Sequence, residues 1–253
     1  VDRSSLYAAK SIFDMAGQRM RLDRYLSVRL NINRRDVKPM LAQNRIRVDG
    51  DVAKDVCQLV DEFSLVQVDE QIFGGKTPKY FMLHKPVGVV SATKDAQHPT
   101  ILDLMQSEER EGLHMVGRLD RYTSGLMLLT NDGRWSTLLA SPESKVPKTY
   151  HVTLGNPLSE DYIAAFQEGM YFAYEDITTR PAQLQILSDY EALVTLQEGK
   201  YHQIKRMFGR FRNPVVKLHR QSIGNLSLDP QLAPGQSRTL SEEEVQNIAN
   251  VTH

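Results

Sequence analysis

The first place in this chain where chemistry could concentrate is an acid set between two arginines in a loop bracketed by glycines. Gly117-Arg118-Leu119-Asp120 runs into Arg121-Tyr122-Thr123-Ser124-Gly125 and then the apolar stretch Leu126–Leu129. A carboxylate beside guanidinium groups, at the entry to a buried strand, is favoured in its charged form and suits a nucleophile. The same pattern also describes a loop aspartate making local backbone bonds or a surface ion pair. A second segment is Lys148-Thr149-Tyr150-His151-Val152-Thr153-Leu154, whose alternation puts Tyr150, Val152 and Leu154 on one strand face. The Tyr150 ring then points with the core while its hydroxyl needs a polar partner, as any structural tyrosine does. A third segment, Glu198–Phe208, turns at Gly199 and opens a helix with Ile204, Phe208 and Phe211 as its buried stripe. His202, Lys205 and Arg206 sit near its N-terminal turn. Cations are disfavoured at that end of the helix macrodipole, so Lys205 and Arg206 want a carboxylate, a phosphate or open solvent.

Other common sites are missing from the sequence. It has no Gly-rich phosphate loop ending in Lys-Ser/Thr, no HExxH and no GxSxG turn. The seven histidines have no metal-ligand spacing, so a core or solvated role is expected for each. No cofactor and no metal are expected.

The elements that must position these groups follow from hydrophobic periodicity. Leu22, Tyr25, Leu26 and Leu30 share one helix face. Asn33 is placed to cap a second helix carrying Val37, Met40 and Leu41, and Pro39 predicts a kink or a late start there. Arg45–Val48 reads as a strand closed by an Asp49-Gly50 turn, and Ser64–Val68 as another. Residues 20–68 thus form a small unit of two helices and short strands, with a linker at 69–78 centred on Gly74-Gly75-Lys76-Thr77-Pro78. Beyond it, strands are expected at Tyr80–Leu83, Leu126–Thr130, Thr149–Leu154, Ala182–Leu187 and Ala192–Leu196. Helices are expected at Trp135–Ala140, Asp161–Glu168 and Gln203–Phe211. No helix regularly follows each strand, so residues 79–253 are expected to be α+β with a mostly antiparallel sheet. Residues 1–19 carry no clear period, and a leader or appended remnant is expected there, with the natural start at or near Met20.

The composition fits this picture. The chain has 253 residues, 41% hydrophobic and 25% charged, which excludes wholesale disorder. Cys57 is the one cysteine, so no internal disulfide and no cysteine metal cage can form. No run approaches the roughly 20 apolar residues of a membrane span, and no secretory signal is apparent, so a cytoplasmic protein is expected. Basic and acidic residues balance at 31 each, yet the charge is uneven. Arg21–Arg47 holds eight Lys/Arg against two Asp, a local 8 − 2 = +6, and Lys200–Arg220 holds seven Lys/Arg and no acid. The compensating acids include Glu242, Glu243 and Glu244. Two such segments predict either a polyanion-binding surface drawn from two regions or two solvated faces.

Taken together, GRLD with Thr123-Ser124-Gly125-Leu126, KTYHV and GKYHQIKRMF resemble the motifs of pseudouridine synthases of the RsuA/RluB/E/F group. Tyr80-Phe81-Met82-Leu83-His84-Lys85-Pro86-Val87-Gly88, and the stretch from Leu218-His219-Arg220 to Leu232-Ala233-Pro234-Gly235, are also similar. The 20–68 unit, with Arg21–Leu26 and Arg45–Gly50, resembles an S4 RNA-binding domain. The likeness covers nearly everything after Met20, and Pro39 departs from the S4 pattern. His98-Pro99-Thr100 and Leu218–Gly224 place it nearest the small-subunit branch.

The resemblance implies isomerisation of a uridine in 16S rRNA (uridine 516) to pseudouridine, on free RNA or a pre-30S particle, by a monomer. It implies Asp120 as nucleophile, Lys205 as its ionic partner and Tyr150 stacked on the uracil. It implies Arg118 filling the space left by the flipped nucleotide, with His202, Arg206, Arg21, Arg24, Arg34, Arg35, Arg45 and Arg47 contacting RNA. The alternatives are the same chemistry on a 23S rRNA uridine, or a non-catalytic S4-type RNA-binding or ribosome-assembly protein.

Overall fold

The computed structural model describes residues 19–250. The expectation for the prefix therefore lies, but for Arg19, outside the described residues. Two compact units are present, one running to Pro78 and the other from Lys79 onward, with Asp132–Arg134 grouped with the first.

In the first unit, strand β1 (Met20–Arg21) leads into helix α1 (Leu22–Leu30), followed by α2 (Arg34–Ala42). Leu22, Tyr25 and Leu26 of α1 pack with Val37 and Leu41 of α2, as their spacing predicts. Asn31 ends α1 in the left-handed conformation at φ 55°, its N–H donating to the Ser27 carbonyl. The Asn33 N–H donates to the Asp36 carboxylate at 3.1 Å, half of a capping box. Pro39 corrects the expectation of a late start: α2 begins at Arg34 and carries the proline in its interior. Past it, the Gln43 N–H still reaches the Pro39 carbonyl at 3.2 Å, so the backbone ladder resumes at once.

Strands β2 (Ile46–Val48) and β3 (Asp51–Val52) form a hairpin around Asp49 and Gly50, both at positive φ, the turn whose twist suits paired strands. The short β4 (Leu59–Val60) pairs with β1, and β5 (Leu65–Val68) with β2. The expected linker is shorter than its sequence implied. Gln71–Gly74 forms β6, antiparallel to β5, because Ile72 and Phe73 extend the sheet across a turn at Asp69.

The second unit is built on a nine-stranded sheet. Its members are β7 (Tyr80–Lys85), β8 (His114–Met115), β9 (Ser124–Thr130), β10 (Lys148–Leu154), β13 (Gln183–Ser188), β14 (Glu191–Leu196), β15 (Val215–Ile223), β16 (Leu226–Ser227) and β17 (Ser237–Thr239). The order along the sheet is β13-β14-β10-β15-β9-β7-β17, with β16 beside β15 and β8 beside β9. Every pairing is antiparallel except β9 with β15, which run parallel through Ser124↔His219 and Gly125↔Arg220. The separate hairpin β11–β12 (Tyr171–Phe172, Ile177–Thr178) stands apart from this sheet.

The centre of β9, Leu126–Leu129, is an unbroken apolar run because it is covered on both faces. Met127 and Leu129 join one core with Tyr150, Val152 and Leu218, which α4 (Asp161–Glu168) and α5 (Gln203–Gly209) cover. Leu126 and Leu128 join the opposite core with Trp135 and Leu139 of α3 (Gly133–Ala140). In α6 (Glu242–Asn247) the acids at 242–244 fill the first helical turn. There the Glu244 carboxylate accepts from the Ser241 N–H at 2.8 Å and pairs with Arg238. Among the described residues, no helix is long and apolar enough to cross a membrane.

Candidate active site

Asp120 stands in the loop between β8 and β9, and that loop is tied down from the segment following β7. The Ser91 hydroxyl donates to the Leu119 carbonyl at 2.6 Å and accepts from the Leu119 N–H at 3.0 Å. The Gly88 N–H donates to the Arg121 carbonyl at 2.8 Å, and the Arg121 guanidinium returns a bond to the Gly88 carbonyl at 3.2 Å. Lys85, fully buried, donates from one ammonium to the carbonyls of Pro86 (3.0 Å), Arg121 (3.3 Å) and Thr123 (2.8 Å). The Thr123 N–H closes the turn on the Asp120 carbonyl at 3.0 Å. A carboxylate carried on so bonded a backbone meets a substrate without first ordering its loop.

The partners of that carboxylate come from the start of α5. Lys205 Nζ and His202 Nε2 each lie 3.3 Å from Asp120 Oδ2. His202 takes the left-handed conformation, φ 47° and ψ 32°, which a non-glycine residue holds only when its surroundings impose it. Here the constraint is a buried polar knot. The Gln203 side chain accepts from the Lys200 N–H at 3.0 Å and donates to Glu198 at 2.7 Å, and Glu198 also accepts from the Arg180 N–H at 2.8 Å. Asp120, Lys205, His202, Arg118, Tyr150 and Leu218 line one open cavity. Tyr150 is buried on the β10 face that alternation assigned to it. The arrangement offers a carboxylate oxygen beside an ammonium donor, an imidazole nitrogen and an aromatic wall, which suits attack on an electrophilic carbon of a planar ring or its sugar.

Beneath the cavity lies buried positive charge that the sequence did not announce. Arg220 is 1% exposed, its guanidinium donating to the Leu126 carbonyl at 2.7 Å. Burial pulls Lys85 down from an ordinary 10.5 to about 8, with Asp120 opposing the shift and Arg220 adding to it. Burial and then Arg220 bring Lys148 to about 8 as well. Between pH 8 and 10.5 the unfolded chain binds more protons at these lysines than the folded one, so each contributes stability that grows as pH rises. The urea midpoint of wild-type protein is therefore expected to climb across that window more steeply than that of Lys85→Met or Lys148→Met. Parallel slopes in all three proteins would show that these ammonium groups are not desolvated.

The structure distributes the expected site residues unevenly. Asp120, Tyr150, Lys205, His202 and Arg118 converge on the cavity. Arg206 does not line the cavity; its guanidinium pairs with Glu175 at 2.7 Å and lies 3.8 Å over the Phe172 ring of the β11–β12 hairpin. In the first unit, Arg24, Arg34 and Arg35 are exposed on the two helices. Arg21 is paired with Asp23 (2.8 Å) and Arg45 with Asp69 (2.9 Å), while Arg47 donates to the Gly50 carbonyl at 2.9 Å. Of the seven cations in 200–220, Arg210, Arg212 and Lys217 are exposed and the other four are engaged within the fold. Lys200 faces Glu198, Lys205 faces Asp120, Arg206 faces Glu175, and Arg220 is buried. Counting charges along a chain cannot tell a surface cation from one already neutralised by a fold-specific acid. Lys85 and Ser91 went unassigned in the sequence, although Lys85 stands in a motif quoted for the resemblance.

This geometry agrees with what the chain is similar to. The sequence profile of the family described as RNA pseudouridylate synthase matches residues 79–209, just over half of the chain, including the segments that carry Asp120, Tyr150, His202 and Lys205. The chain belongs to the RNA pseudouridylate synthase family. A relative in Pseudomonas aeruginosa, named ribosomal small subunit pseudouridine synthase A, is 49% identical over 230 residues, covering 90% of this chain and 100% of its own. The protein of the same name from Escherichia coli is 39% identical over 230 residues, with the same coverage. A solved structure described as a pseudouridylate synthase superposes with a TM-score of 0.67 at 36% identity, covering 90% of this chain and 99% of its own. This pseudouridine synthase is accordingly an enzyme that isomerises uridine in RNA.

Proposed function

We propose that this synthase acts on 16S rRNA, at uridine 516, with Asp120 as the nucleophile. The observation that carries this reading is the convergence of Lys205 and His202, each 3.3 Å from one oxygen of Asp120, in a cavity walled by Tyr150. The names of its relatives, which cover nearly the whole chain, supply the small ribosomal subunit. The uridine leaves its stack to reach the cavity, at a cost of a few kcal/mol, because its reactive atoms are blocked inside stacked RNA. The Asp120 carboxylate attacks C1′ of the sugar or C6 of the ring, and the N1–C1′ bond breaks. The uracil turns against Tyr150, C5 bonds to C1′, the bond between Asp120 and carbon breaks to return the carboxylate, the C5 proton departs, and N1 takes up a proton. Atoms and electrons balance with no redox step. Lys205 holds the carboxylate in place, and Arg118, exposed at the rim, enters the gap left in the RNA.

The first unit would act as an S4-type grip. Arg24, Arg34, Arg35 and Lys38 lie exposed on its helices, where phosphate contacts would offset the unstacking cost. Mapping pseudouridines in rRNA from cells with and without this protein tests the assignment. Loss of the modification at uridine 516 alone is expected. Loss at a 23S rRNA position would move the substrate to the large subunit, and an unchanged map would overturn the reading.

A further inference from the structure

Tyr201 is the residue next to the site whose placement the chemistry above leaves unused. It is 74% exposed although one of its faces is already covered, its ring stacked on His202 with centroids 3.9 Å apart and planes 19° apart. A ring so covered on one side and so exposed overall presents its other face to solvent. The imidazole beneath it is the one that meets Asp120 at 3.3 Å. Two aromatic layers, His202 and then Tyr201, therefore lead from the Asp120 carboxylate to solvent.

The backbone beneath these rings is held from three directions. The Gln203 N–H donates to the Lys200 carbonyl at 3.1 Å, the Gln203 side chain accepts from the Lys200 N–H, and both bracket Tyr201 and His202. Arg206 reaches the Tyr201 carbonyl at 3.5 Å while pinned by Glu175 and Phe172. The conformation of His202 at φ 47° is thus maintained by contacts that leave the Tyr201 ring free. Exposing a large aromatic surface costs favourable burial, and fixing the backbone under it costs entropy. The combination is what a preformed stacking platform requires, since ordering before binding reduces the loss on binding.

We infer that the outer face of Tyr201 is a base-stacking subsite for an unpaired nucleotide of the RNA substrate that neighbours the flipped uridine. This rests on the proposed action on 16S rRNA, whose chemistry puts the target uridine at Asp120. The nucleotide adjoining it on the same strand lies within reach of a ring two layers away. Every base has a π-face, so the subsite reads an unstacked base rather than its identity.

The test uses the full-length protein and a 16S rRNA transcript containing uridine 516, with pseudouridine formation measured over a range of RNA concentrations. Tyr201→Ala is expected to raise KM roughly tenfold while kcat moves less than twofold, and Tyr201→Phe is expected to retain wild-type KM. Transcripts abasic at each position flanking the uridine then locate the partner. At one position the abasic RNA is expected to raise KM for wild type as Tyr201→Ala does, with no further rise when the two are combined. The subsite is overturned if Tyr201→Phe is as damaging as Tyr201→Ala, if kcat falls while KM stays, or if no abasic position couples to Tyr201. Wild-type protein that converts no uridine in the transcript, either free or assembled into a pre-30S particle, would sink the 16S assignment, and the subsite with it.

Discussion

Asp120→Asn is expected to abolish pseudouridine formation, by roughly 10⁴-fold or more, while the protein folds and binds rRNA as wild type does. The substitution is nearly isosteric and leaves untouched the backbone bonds that fix the loop, from Ser91, Gly88, Lys85 and Thr123. The side chain is about a third exposed, so folding stability should change by about 1 kcal/mol or less. The negative oxygen beside Lys205 and His202 is lost, and an amide cannot form the bond to carbon that the proposed chemistry needs. Removing an anion from an RNA-facing cavity should, if anything, tighten binding of a polyanion. Single-turnover assays with thermal melts and filter binding on the same preparations check all three parts. Turnover that survives in a well-folded Asp120→Asn protein would take the nucleophile's role away from this residue.

Gly125→Ala is expected to be the most disruptive small substitution around the site, destabilising the second unit by roughly 4 kcal/mol or more and lowering its melting temperature by about 10 °C. Gly125 has φ +114°, a region side chains rarely adopt, and it pairs with Arg220 in the parallel contact that joins β9 to β15. A β-carbon there would lie 2.5 Å from the Arg220 amide nitrogen and 2.9 Å from its carbonyl carbon. Both are backbone atoms of the neighbouring strand, so no side chain can swing away, and the strands must separate. Separation would also strip the buried Arg220 guanidinium of the Leu126 carbonyl. Gly117 provides the contrast. It too has positive φ, +73°, but an added β-carbon meets nothing within 4 Å. Gly117→Ala should therefore cost only the conformational strain, about 1 kcal/mol. Differential scanning calorimetry of the two variants decides the point, and equal melting temperatures would show that the strand contact is looser than its geometry indicates.

Much of this architecture is legible in the sequence because hydrophobic period reports local burial. The α1 stripe at Leu22, Tyr25 and Leu26, the doubly covered run Leu126–Leu129 and the alternation around Tyr150 each state which faces are inside. The segments around Asp120, Tyr150 and Lys205 could be singled out for the same reason, as polar groups fixed beside apolar runs. Strand β15 escaped notice because one of its faces carries Lys217, His219 and Gln221, and a buried arginine interrupts the other, so its alternation is masked. Strand β6 escaped because its glycine-rich end looks like a linker, and only pairing with β5 gives it a partner.

The residue types and their local frames were thus set by the sequence alone, as were the apolar faces that hold them. Which charge meets which was decided only by tertiary structure. Asp120 and Lys205 are 85 positions apart, Lys85 ties down a loop 36 to 38 positions away, and Glu175 takes Arg206 from a separate hairpin. Ion pairs and buried donors depend on distances of a few ångströms between segments that local periodicity treats as independent. Those distances exist only once β9 and β15 have closed the sheet.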